Sequence, residues 1–483
     1  MRLKDLLVEL DIEEVIGSKD IWVNGISKDS RLVREGYLFF LTKKNAPYLG
    51  EAIASGAKVI ITDMDGYVNV PCFVRVKNVE RSIGEIASRF FKEPTKNMFV
   101  LGITGTNGKT TTAFLIDHVL SSDSIKTGLI GTVFHRYGNR IFKSENTTPG
   151  AIELQTIFNE MRKAEITHVV MEVSSHALDQ KRVEGVHFDV CVFTNISHDH
   201  LDYHGSFSNY REAKALLFNY YLKRSLKPRK IAILNGDDPN VSYFITGNGI
   251  ETYFFGLKRG THTQVLRYEQ TLEGIEAEIT VLKEKLKVSS NLIGKFNLYN
   301  ILAASLALKV IGIERTKIER GLEAFQGVPG RLERIKNSKG YKIFVDYAHT
   351  PHALKEVLET LSELKKGRLI VVFGCGGDRD KEKRPIMGRI ATTIADFSII
   401  TSDNPRSEDP LLIIEEIRKG AIKDNYKIIV DRKEAIYEAV KLMNPEDVLL
   451  VAGKGHEDYQ IVGDKVLHFS DREVIEEALR VVL

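Results

Sequence analysis

Cysteine and proline are scarce in this chain of 483 residues, which has three cysteines and 12 prolines. Cys72, Cys191 and Cys375 are odd in number and far apart, so a disulfide framework is excluded and reduced cytosolic thiols are indicated. A strong charge of one sign is also missing. The net charge is +3 with both signs interspersed, which gives no reason to expect a nucleic-acid or membrane-surface partner.

Apolar runs long enough to cross a bilayer are absent as well. The first 17 residues mix charges into apolar positions at helical spacing and lack the apolar core of a signal peptide. We therefore expect a soluble, cytoplasmic protein. The sequence does contain 43% hydrophobic and 28% charged residues, an ordinary globular composition with material for several cores.

The length predicts about three domains. Breaks in helical patterning at "FFKEPTKNMFV" and "AFQGVPGRLERI" place them at residues 1–95, 96–328 and 329–483. In the last third, apolar runs such as "RLIVVFGCGG" and "DVLLVAGKGHE" alternate with amphipathic helices, which predicts βαβ units and a mainly parallel sheet. Ligands bind beyond the carboxyl ends of such strands. One functional edge is therefore predicted to carry Asp346, Arg379, Asp403, Arg406, Gly453 and Glu457.

A glycine loop, "VLGITGTNGKTTTAF", follows an apolar run in the middle third. It departs from the Walker spacing, since the position six residues before Lys109 is Ile103. Gly105 and Gly108 still allow backbone N–H groups to turn toward an anion. A helix N-terminus and Lys109 add positive charge, and the Thr110 hydroxyl can reach Mg2+. The loop predicts a nucleotide-phosphate site of variant spacing.

The string "HDHLDYH" offers a different interpretation, because His198, His200, Asp202 and His204 nearly match a zinc-hydrolase signature. That signature would need a histidine at Tyr203. Three readings stay open here: a divalent-metal role beside a nucleotide, a solvated polar loop, and a metal-dependent hydrolase.

Taken in order, the strings "GTNGKTT", "TNISHDHLDYHG", "YREAKALLF", "GKFNLYNILAA", "GVPGRLERI" and "DYAHTP" resemble the Mur ligases, the ADP-forming amide-bond synthetases of peptidoglycan assembly. The resemblance implies an α/β protein of three domains. These are an N-terminal uridine-nucleotide domain, a central P-loop-type ATPase domain with a mainly parallel sheet, and a C-terminal Rossmann-like domain. It also implies ATP and Mg2+ as cofactors and a role in cell wall biogenesis, cell shape and cell division.

Residue roles carry over from the same resemblance. Lys109, Lys214 and His200 would be catalytic, with Lys214 carbamylated so that it becomes an anion. The metal ligands would be Thr110, Glu172, His200 and Lys214. The ATP contacts would be Gly105, Thr106, Asn107, Gly108, Lys109, Thr110, Thr111, Asn297, Asn300, Arg331 and Asp346.

The strings "SENTTPG", "EVSSHALDQKRV" and "SKDSRLVREGYLFF" resemble those members of the family that add the third residue of the peptide. UDP-MurNAc-L-Ala-D-Glu would then be held by Ser30, Asn146, Thr147, Thr148, Ser174, Gln180 and Arg182. The segment "LTKKNAPYLGEAI" is shorter than the family's usual glycine-bearing loop, so the uridine contacts there stay open.

The string "SDNPRSEDP" resembles the members that add meso-diaminopimelate, since lysine-adding relatives lack Asp-Asn-Pro-Arg. Arg406 can grip a second carboxylate in a two-pronged hydrogen bond. The diaminopimelate contacts would be Arg379, Asp403, Asn404, Pro405, Arg406, Gly453 and Glu457. The alternatives are a lysine-adding or folate-polyglutamylating ligase and, from another class, a nucleotide-gated binding protein. We expect a monomer.

Overall fold

The computed structural model describes residues 1–258 and 260–481. It divides into two compact units, the first formed by Met1–Gln264 with Leu302–Lys317 and the second by Val265–Ile301 with Ile318–Leu483. No helix within the described ranges is both long and apolar enough to cross a membrane.

The first unit begins with a five-stranded sheet in the order β1-β5-β4-β3-β2, parallel except where β1 pairs with β5. Its apolar runs, such as "YLFFL" and "AKVIIT", are buried on both faces, as parallel strands require. The strands are β1 (Ile12–Gly17), β2 (Gly25–Ser27), β3 (Tyr37–Leu41), β4 (Ala57–Thr62) and β5 (Cys72–Val76), and the helices are α1 (Leu3–Leu6), α2 (Leu49–Ala54) and α3 (Val79–Phe90).

An eight-stranded sheet follows in the same unit, in the order β13-β12-β11-β6-β10-β7-β8-β9. Only β7–β8 and β8–β9 pair antiparallel. The strands are β6 (Phe99–Thr104), β7 (Thr127–Ile130), β8 (Phe134–Tyr137), β9 (Arg140–Lys143), β10 (His168–Glu172), β11 (Val190–Phe193), β12 (Ile231–Asn235) and β13 (Glu251–Phe255). The helices are α4 (Lys109–Ser122), α5 (Ala151–Lys163), α6 (Ser175–Asp179), α7 (Leu201–His204) and α8 (Phe207–Leu216), which continues as a π-helix at Leu217–Leu222.

A smaller sheet and two helices come next. The strands β14 (Thr263–Thr271), β15 (Gly274–Val281) and β16 (Glu284–Ser290) form the sheet, and the helices are α9 (Lys295–Val310) and α10 (Arg315–Ala324). Both helices contribute residues to each unit.

A six-stranded sheet forms the core of the second unit, in the order β17-β18-β22-β19-β20-β21 and parallel except at β17. Its strands are β17 (Glu333–Arg334), β18 (Lys342–Asp346), β19 (Leu369–Phe373), β20 (Phe397–Ile400), β21 (Tyr426–Ile428) and β22 (Val448–Ala452). A separate hairpin consists of β23 (Tyr459–Val462) and β24 (Lys465–His468). The helices are α11 (Pro351–Leu364), α12 (Lys383–Ile394), α13 (Pro410–Arg418), α14 (Arg432–Leu442) and α15 (Asp471–Val481).

The predicted α/β class with mainly parallel sheets is confirmed. Strand β22 lies between β18 and β19, so the chain order reverses there. In open α/β sheets, ligands bind at such a point, beyond the carboxyl ends of the strands. The division at residues 95 and 328 stays a prediction. The first two sheets do lie on either side of residue 95, and β17 begins at Glu333.

Candidate active site

The glycine loop lies between the end of β6 and the start of α4. Gly105 has φ +153°, and a Cβ there would lie 1.9 Å from Thr194 Oγ1. Gly108 has φ +83°. The Thr194 hydroxyl donates to the Asn107 carbonyl at 2.6 Å, and Asn107 N–H donates to Asn195 Oδ1 at 3.0 Å. Thr194 and Asn195 directly follow β11, and their hydrogen bonds to Asn107 fix the conformation of the glycine loop. Their role was missed from the sequence, although they begin the string "TNISHDHLDYHG".

The loop carries the groups of an anion site. Lys109 begins the 14-residue helix α4, and its ammonium donates to the carbonyls of Gly105 (2.8 Å) and Thr106 (3.0 Å). The Thr106 hydroxyl lies 3.0 Å from the Tyr210 hydroxyl and accepts from Ser197 N–H at 3.0 Å. A helix N-terminus with a neighbouring ammonium attracts phosphate. The predicted Thr111 is buried in the first turn of the same helix.

Glu172 ends β10 as a fully buried carboxylate. It accepts hydrogen bonds from the hydroxyls of Thr110 (2.9 Å) and Thr132 (3.1 Å) and from Thr132 N–H (2.8 Å). Gly131 leaves it room, because a Cβ there would lie 2.4 Å from Glu172 Oε1. A buried carboxylate beside a hydroxyl is an oxygen donor set that suits Mg2+. Thr110 and Glu172 therefore fit the metal role expected of them.

Lys214 lies on α8 with only 1% of its surface exposed, although the sequence alone suggests an exposed helix lysine. Its ammonium donates to the Gly105 carbonyl at 2.8 Å and lies 4.6 Å from the centre of the Tyr210 ring. Burial, with the nearby charge of Lys109, holds the pKa of Lys214 well below its ordinary value. A lysine that loses its proton readily can react with carbon dioxide, so this environment fits a carbamylated side chain.

The histidines of "HDHLDYH" face different partners. His200 lies 4.8 Å, ring to ring, from His176, and burial lowers its pKa. His204 Nε2 is 3.1 Å from the Ser175 hydroxyl, and His198 packs on Phe207 at 4.9 Å. Across residues 1–258 and 260–481, no three His, Cys, Asp or Glu side chains are grouped to hold a metal ion. The zinc-hydrolase arrangement is therefore not formed by these histidines.

A cavity of about 770 Å3 in the first unit holds several predicted substrate contacts. Ser30, Gln180 and Arg182 line it. The Arg182 guanidinium donates to Gln180 Oε1 (2.6 and 2.9 Å) and to the Thr148 carbonyl (2.9 Å). Ser30 donates to Glu51 at 2.8 Å. The structure therefore brings these three side chains to one pocket.

The same cavity carries cations that the sequence reading missed. Its lining includes Lys28, Arg31, Lys44 and Arg182 together with Asp29, Glu51 and Glu80, and the Arg31 guanidinium pairs with Asp29 at 2.6 Å. Asn45 joins the two segments that carry these cations, because its amide donates to the carbonyls of Lys28 (2.8 Å) and Phe40 (2.9 Å) and its oxygen accepts from Thr42 N–H (2.7 Å). The run "TKKN" in the shortened loop was the available signal. Four cations against three carboxylates leave this lining with one positive charge, which suits an anionic ligand.

Two predicted threonines connect the substrate and metal groups. The Thr148 hydroxyl donates to the Glu172 carbonyl at 2.9 Å and accepts from Ser174 N–H at 3.1 Å. The Thr147 hydroxyl lies 3.1 Å from that of Thr132, which also contacts Glu172. Asn146 is exposed, and its carbonyl accepts from the Ser144 hydroxyl.

The remaining predicted ATP contacts lie in the second unit. Asp346, at the end of β18, accepts from the N–H groups of Leu332 (2.6 Å) and Ala348 (2.7 Å), and burial raises its pKa to about 6. The Arg331 guanidinium lies 4.7 Å from the centre of the Tyr347 ring. Asn297 and Asn300 are buried on α9 and joined by a 2.9 Å hydrogen bond.

The predicted amino-acid contacts also lie in the second unit, after β19, β20 and β22. Arg406 has φ +53° and donates from its guanidinium to the Gly377 carbonyl at 2.8 Å. Backbone hydrogen bonds to the β23–β24 hairpin hold it: Arg406 N–H donates to the Ile461 carbonyl, and its carbonyl accepts from Gly463 N–H. Pro405 precedes Arg406. A Cβ added to Gly377 would lie 1.9 Å from the carbonyl oxygen of Pro405. Arg379 is exposed nearby in sequence.

Asp403, Asn404 and Glu457 come together beside Gly453. The Asn404 amide donates to Glu457 Oε2 at 3.0 Å, and a Cβ on Gly453 would lie 2.6 Å from Asp403 Oδ2. A buried ammonium, that of Lys454, lies within 4 Å of all three of these polar side chains and was not foreseen. The site thus offers carboxylates to an ammonium and, at Arg406, a guanidinium to a carboxylate.

Comparisons with known proteins agree with this geometry. Residues 103–308 match the model of the Mur ligase middle domain and residues 330–455 that of the Mur ligase glutamate ligase domain. A UDP-N-acetylmuramoyl-L-alanyl-D-glutamate–2,6-diaminopimelate ligase of Halalkalibacterium halodurans is 41% identical over 99% of both chains. The protein of the same name in Bacillus cereus is 41% identical over 99% of this chain and 98% of its own.

A solved structure of a protein with that name covers 99% of both chains at 31% identity and a TM-score of 0.74. Sequence and fold therefore agree along essentially the whole chain, and the chain belongs to the Mur ligase family of ATP-dependent amide-bond ligases.

Proposed function

We propose that the protein joins meso-diaminopimelate to UDP-MurNAc-L-Ala-D-Glu in peptidoglycan precursor synthesis, using ATP and Mg2+. The observation that carries this proposal is the position of Arg406, whose guanidinium donates to the Gly377 and Asn404 carbonyls, in the same loop as Asp403 and Asn404, whose amide donates to Glu457. A guanidinium and two carboxylates in this arrangement suit an amino acid whose far end bears both a carboxylate and an ammonium. The relatives with this activity in their names support it along the whole chain.

The chemistry needs a carboxylate to be activated before an amine can attack it. The D-glutamyl carboxylate oxygen attacks the terminal phosphorus of ATP, so that ADP leaves and an acyl phosphate forms. The amine of diaminopimelate then attacks the acyl carbon, the C–O bond to phosphate breaks, and the amine loses a proton. Charge stabilisation by cations and metal ions is the main catalytic requirement of the phosphoryl-transfer step.

Side chains of the first unit suit the phosphoryl-transfer step. Lys109 and the N–H groups of the first turn of α4 would bind phosphate oxygens. Thr110, Glu172, His200 and carbamylated Lys214 would hold or support Mg2+, which supplies positive charge to the transferring phosphoryl group. Lys28, Lys44 and Arg182, which line the 770 Å3 cavity, would bind the diphosphate of the sugar nucleotide.

The residues of the second unit that would contact ATP are those predicted from the sequence. Asn297, Asn300, Arg331 and Asp346 would contact ATP, with Asp346 accepting ribose hydroxyls. A monomer in the cytoplasm stays a prediction.

Phosphate release tests the proposal directly. The purified protein, UDP-MurNAc-L-Ala-D-Glu, ATP and Mg2+ are combined with meso-diaminopimelate or with L-lysine. We expect release with diaminopimelate and a rate at least about 100-fold lower with lysine, because lysine leaves the Arg406 guanidinium without a carboxylate. Equal rates with the two amino acids would leave the ligase activity supported and overturn the proposed specificity for diaminopimelate. Release that needs no amino acid would instead indicate a nucleotide-gated binding protein.

A further inference from the structure

Lys454 is a buried cation that the proposed chemistry does not use. It directly follows Gly453 after β22, and none of its side-chain surface is exposed. Its Nζ lies 3.2 Å from Asn404 Oδ1, 3.5 Å from Glu457 Oε2 and 3.8 Å from Asp403 Oδ1. Buried ammonium groups are rare without a partner, and this one has three partners, all of them predicted amino-acid contacts.

The hydrogen bonds of Asn404 show what Lys454 does to the site. Asn404 Oδ1 accepts from Lys454 and from Ile461 N–H (3.0 Å), and its amide donates to Glu457. Its oxygen therefore already has two donors, and Asn404 links Lys454 to Glu457. The carboxylates of Asp403 and Glu457 are left as the groups that can accept from a substrate ammonium.

Lys454 also sets the total formal charge of the amino-acid site. Asp403 and Glu457 contribute two negative charges, Lys454 reduces them to one, and Arg406 brings the sum to zero. Arg432 is also buried here, 3.9 Å from where a Gly453 Cβ would lie, but Asp471 pairs with it at 2.7 Å and cancels its charge. The exposed pair of Asp378 and Arg379 likewise sums to zero.

We propose that Lys454 is a positioning residue that makes the amino-acid site selective for a zwitterionic end over a bare ammonium. The inference rests on the proposed function, in which the far end of the amino acid enters this site. With Lys454 the site is neutral overall and complements an end that carries both charges. Without it, the site has one excess negative charge and complements a lone cation such as the side chain of lysine.

The test is a ratio of two substrates measured on the same preparation. The ratio compares kcat/KM for meso-diaminopimelate with kcat/KM for L-lysine, so it does not depend on the fraction of folded protein. In Lys454→Met we expect it to fall at least about tenfold, mainly through a higher KM for diaminopimelate. The control Lys427→Met removes an exposed lysine that pairs with Glu438, and it should leave the ratio unchanged.

A double variant separates charge from packing. In Lys454→Met with Glu457→Gln, the charges at positions 403, 454 and 457 again sum to minus one, as in the wild type. The double variant also avoids an unbalanced buried carboxylate, so it can be measured even if the single variant does not fold. Both amino acids present the same ammonium to position 457, so the lost hydrogen bond to Glu457 affects both alike, and the change in the ratio reports the restored charge balance. We expect the ratio to return to within about threefold of the wild-type value.

Three results would count against the inference. An unchanged ratio in Lys454→Met would overturn it, as would a double variant whose ratio is as low as we expect for the single one. Both leave the proposed function intact if the wild type turns over diaminopimelate. A wild type that releases no phosphate with diaminopimelate would overturn the proposed function and this inference with it.

Discussion

Two of the predicted site residues, Lys214 in the first unit and Asp346 in the second, are buried where their charged forms lose the hydration of water. The pKa of Lys214 lies well below its ordinary value, and that of Asp346 is raised to about 6. Burial follows from the packing of distant segments, such as the approach of α8 to the glycine loop. For that reason it could not be read from the local sequence, where Lys214 looks like an exposed helix lysine.

Lys214 should make the activity depend on carbon dioxide. A carbamate forms from the uncharged amine, and burial, by lowering the pKa of Lys214, makes that form more available than in an exposed lysine. We expect the rate of phosphate release to fall in buffer depleted of carbon dioxide and to recover when bicarbonate is added. Lys214→Ala should have about 100-fold lower kcat and no response to bicarbonate. An equal response in wild type and variant would argue against carbamylation.

Gly105 should tolerate no side chain. An added Cβ would lie 1.9 Å from Thr194 Oγ1 at a backbone φ of +153°, so Thr194 would have to move and release Asn107. We expect Gly105→Ala to raise KM for ATP at least about tenfold. Gly247→Ala, where no atom lies within 4 Å of the added Cβ, is the matched control and should behave as wild type. Similar KM values in the two variants would contradict this account of the loop.

Asp346 should give ATP binding a dependence on pH. The carboxyl has a pKa of about 6, so it is ionised at pH 7.5 and mostly protonated at pH 5. Protonation removes acceptor capacity for ribose hydroxyls, and KM for ATP should rise about tenfold between these values. Asp346→Asn should show a higher KM at pH 7.5 and a flatter profile. If the KM for ATP of Asp346→Asn depended on pH as steeply as that of the wild type, the titration would belong to another group.

The elements that carry the site are loops at the carboxyl ends of parallel strands. The apolar runs of the last third predicted β18, β19, β20 and β22, and with them the edge where Asp346, Asp403 and Gly453 lie. The β23–β24 hairpin was not predicted as part of the site. Its contacts to Arg406 use backbone groups, which leave no trace in side-chain patterning.

The hairpin should position the amino-acid site through Ile461. Its N–H donates to Asn404 Oδ1 and its carbonyl accepts from Arg406 N–H. Ile461→Pro removes the donor and disturbs the strand, so we expect KM for diaminopimelate to rise at least about tenfold while KM for ATP stays unchanged. Val466→Ala, at the position paired with Ile461 and with an exposed side chain, is the control. An unchanged KM for diaminopimelate in Ile461→Pro would show that the hairpin does not position the amino-acid site.

For the whole molecule, the sequence predicted the α/β class and, through the resemblance, the family. It did not give the two-unit division, because compactness depends on contacts between segments far apart in the chain, such as residues 302–317 with the first 264. It also missed Lys28 and Lys44 in the cavity wall. The shortened loop that carries Lys44 departs from the family pattern, so only the folded chain shows that these cations line one cavity with Arg182.

The mass of the nucleotide product tests the central claim most directly. The whole protein is incubated with UDP-MurNAc-L-Ala-D-Glu, ATP, Mg2+ and meso-diaminopimelate, and the mixture is analysed by mass spectrometry. We predict a sugar nucleotide heavier by one diaminopimelate less one water, with one ADP formed for each product molecule. An unchanged sugar nucleotide, with ATP either intact or hydrolysed, would contradict the account.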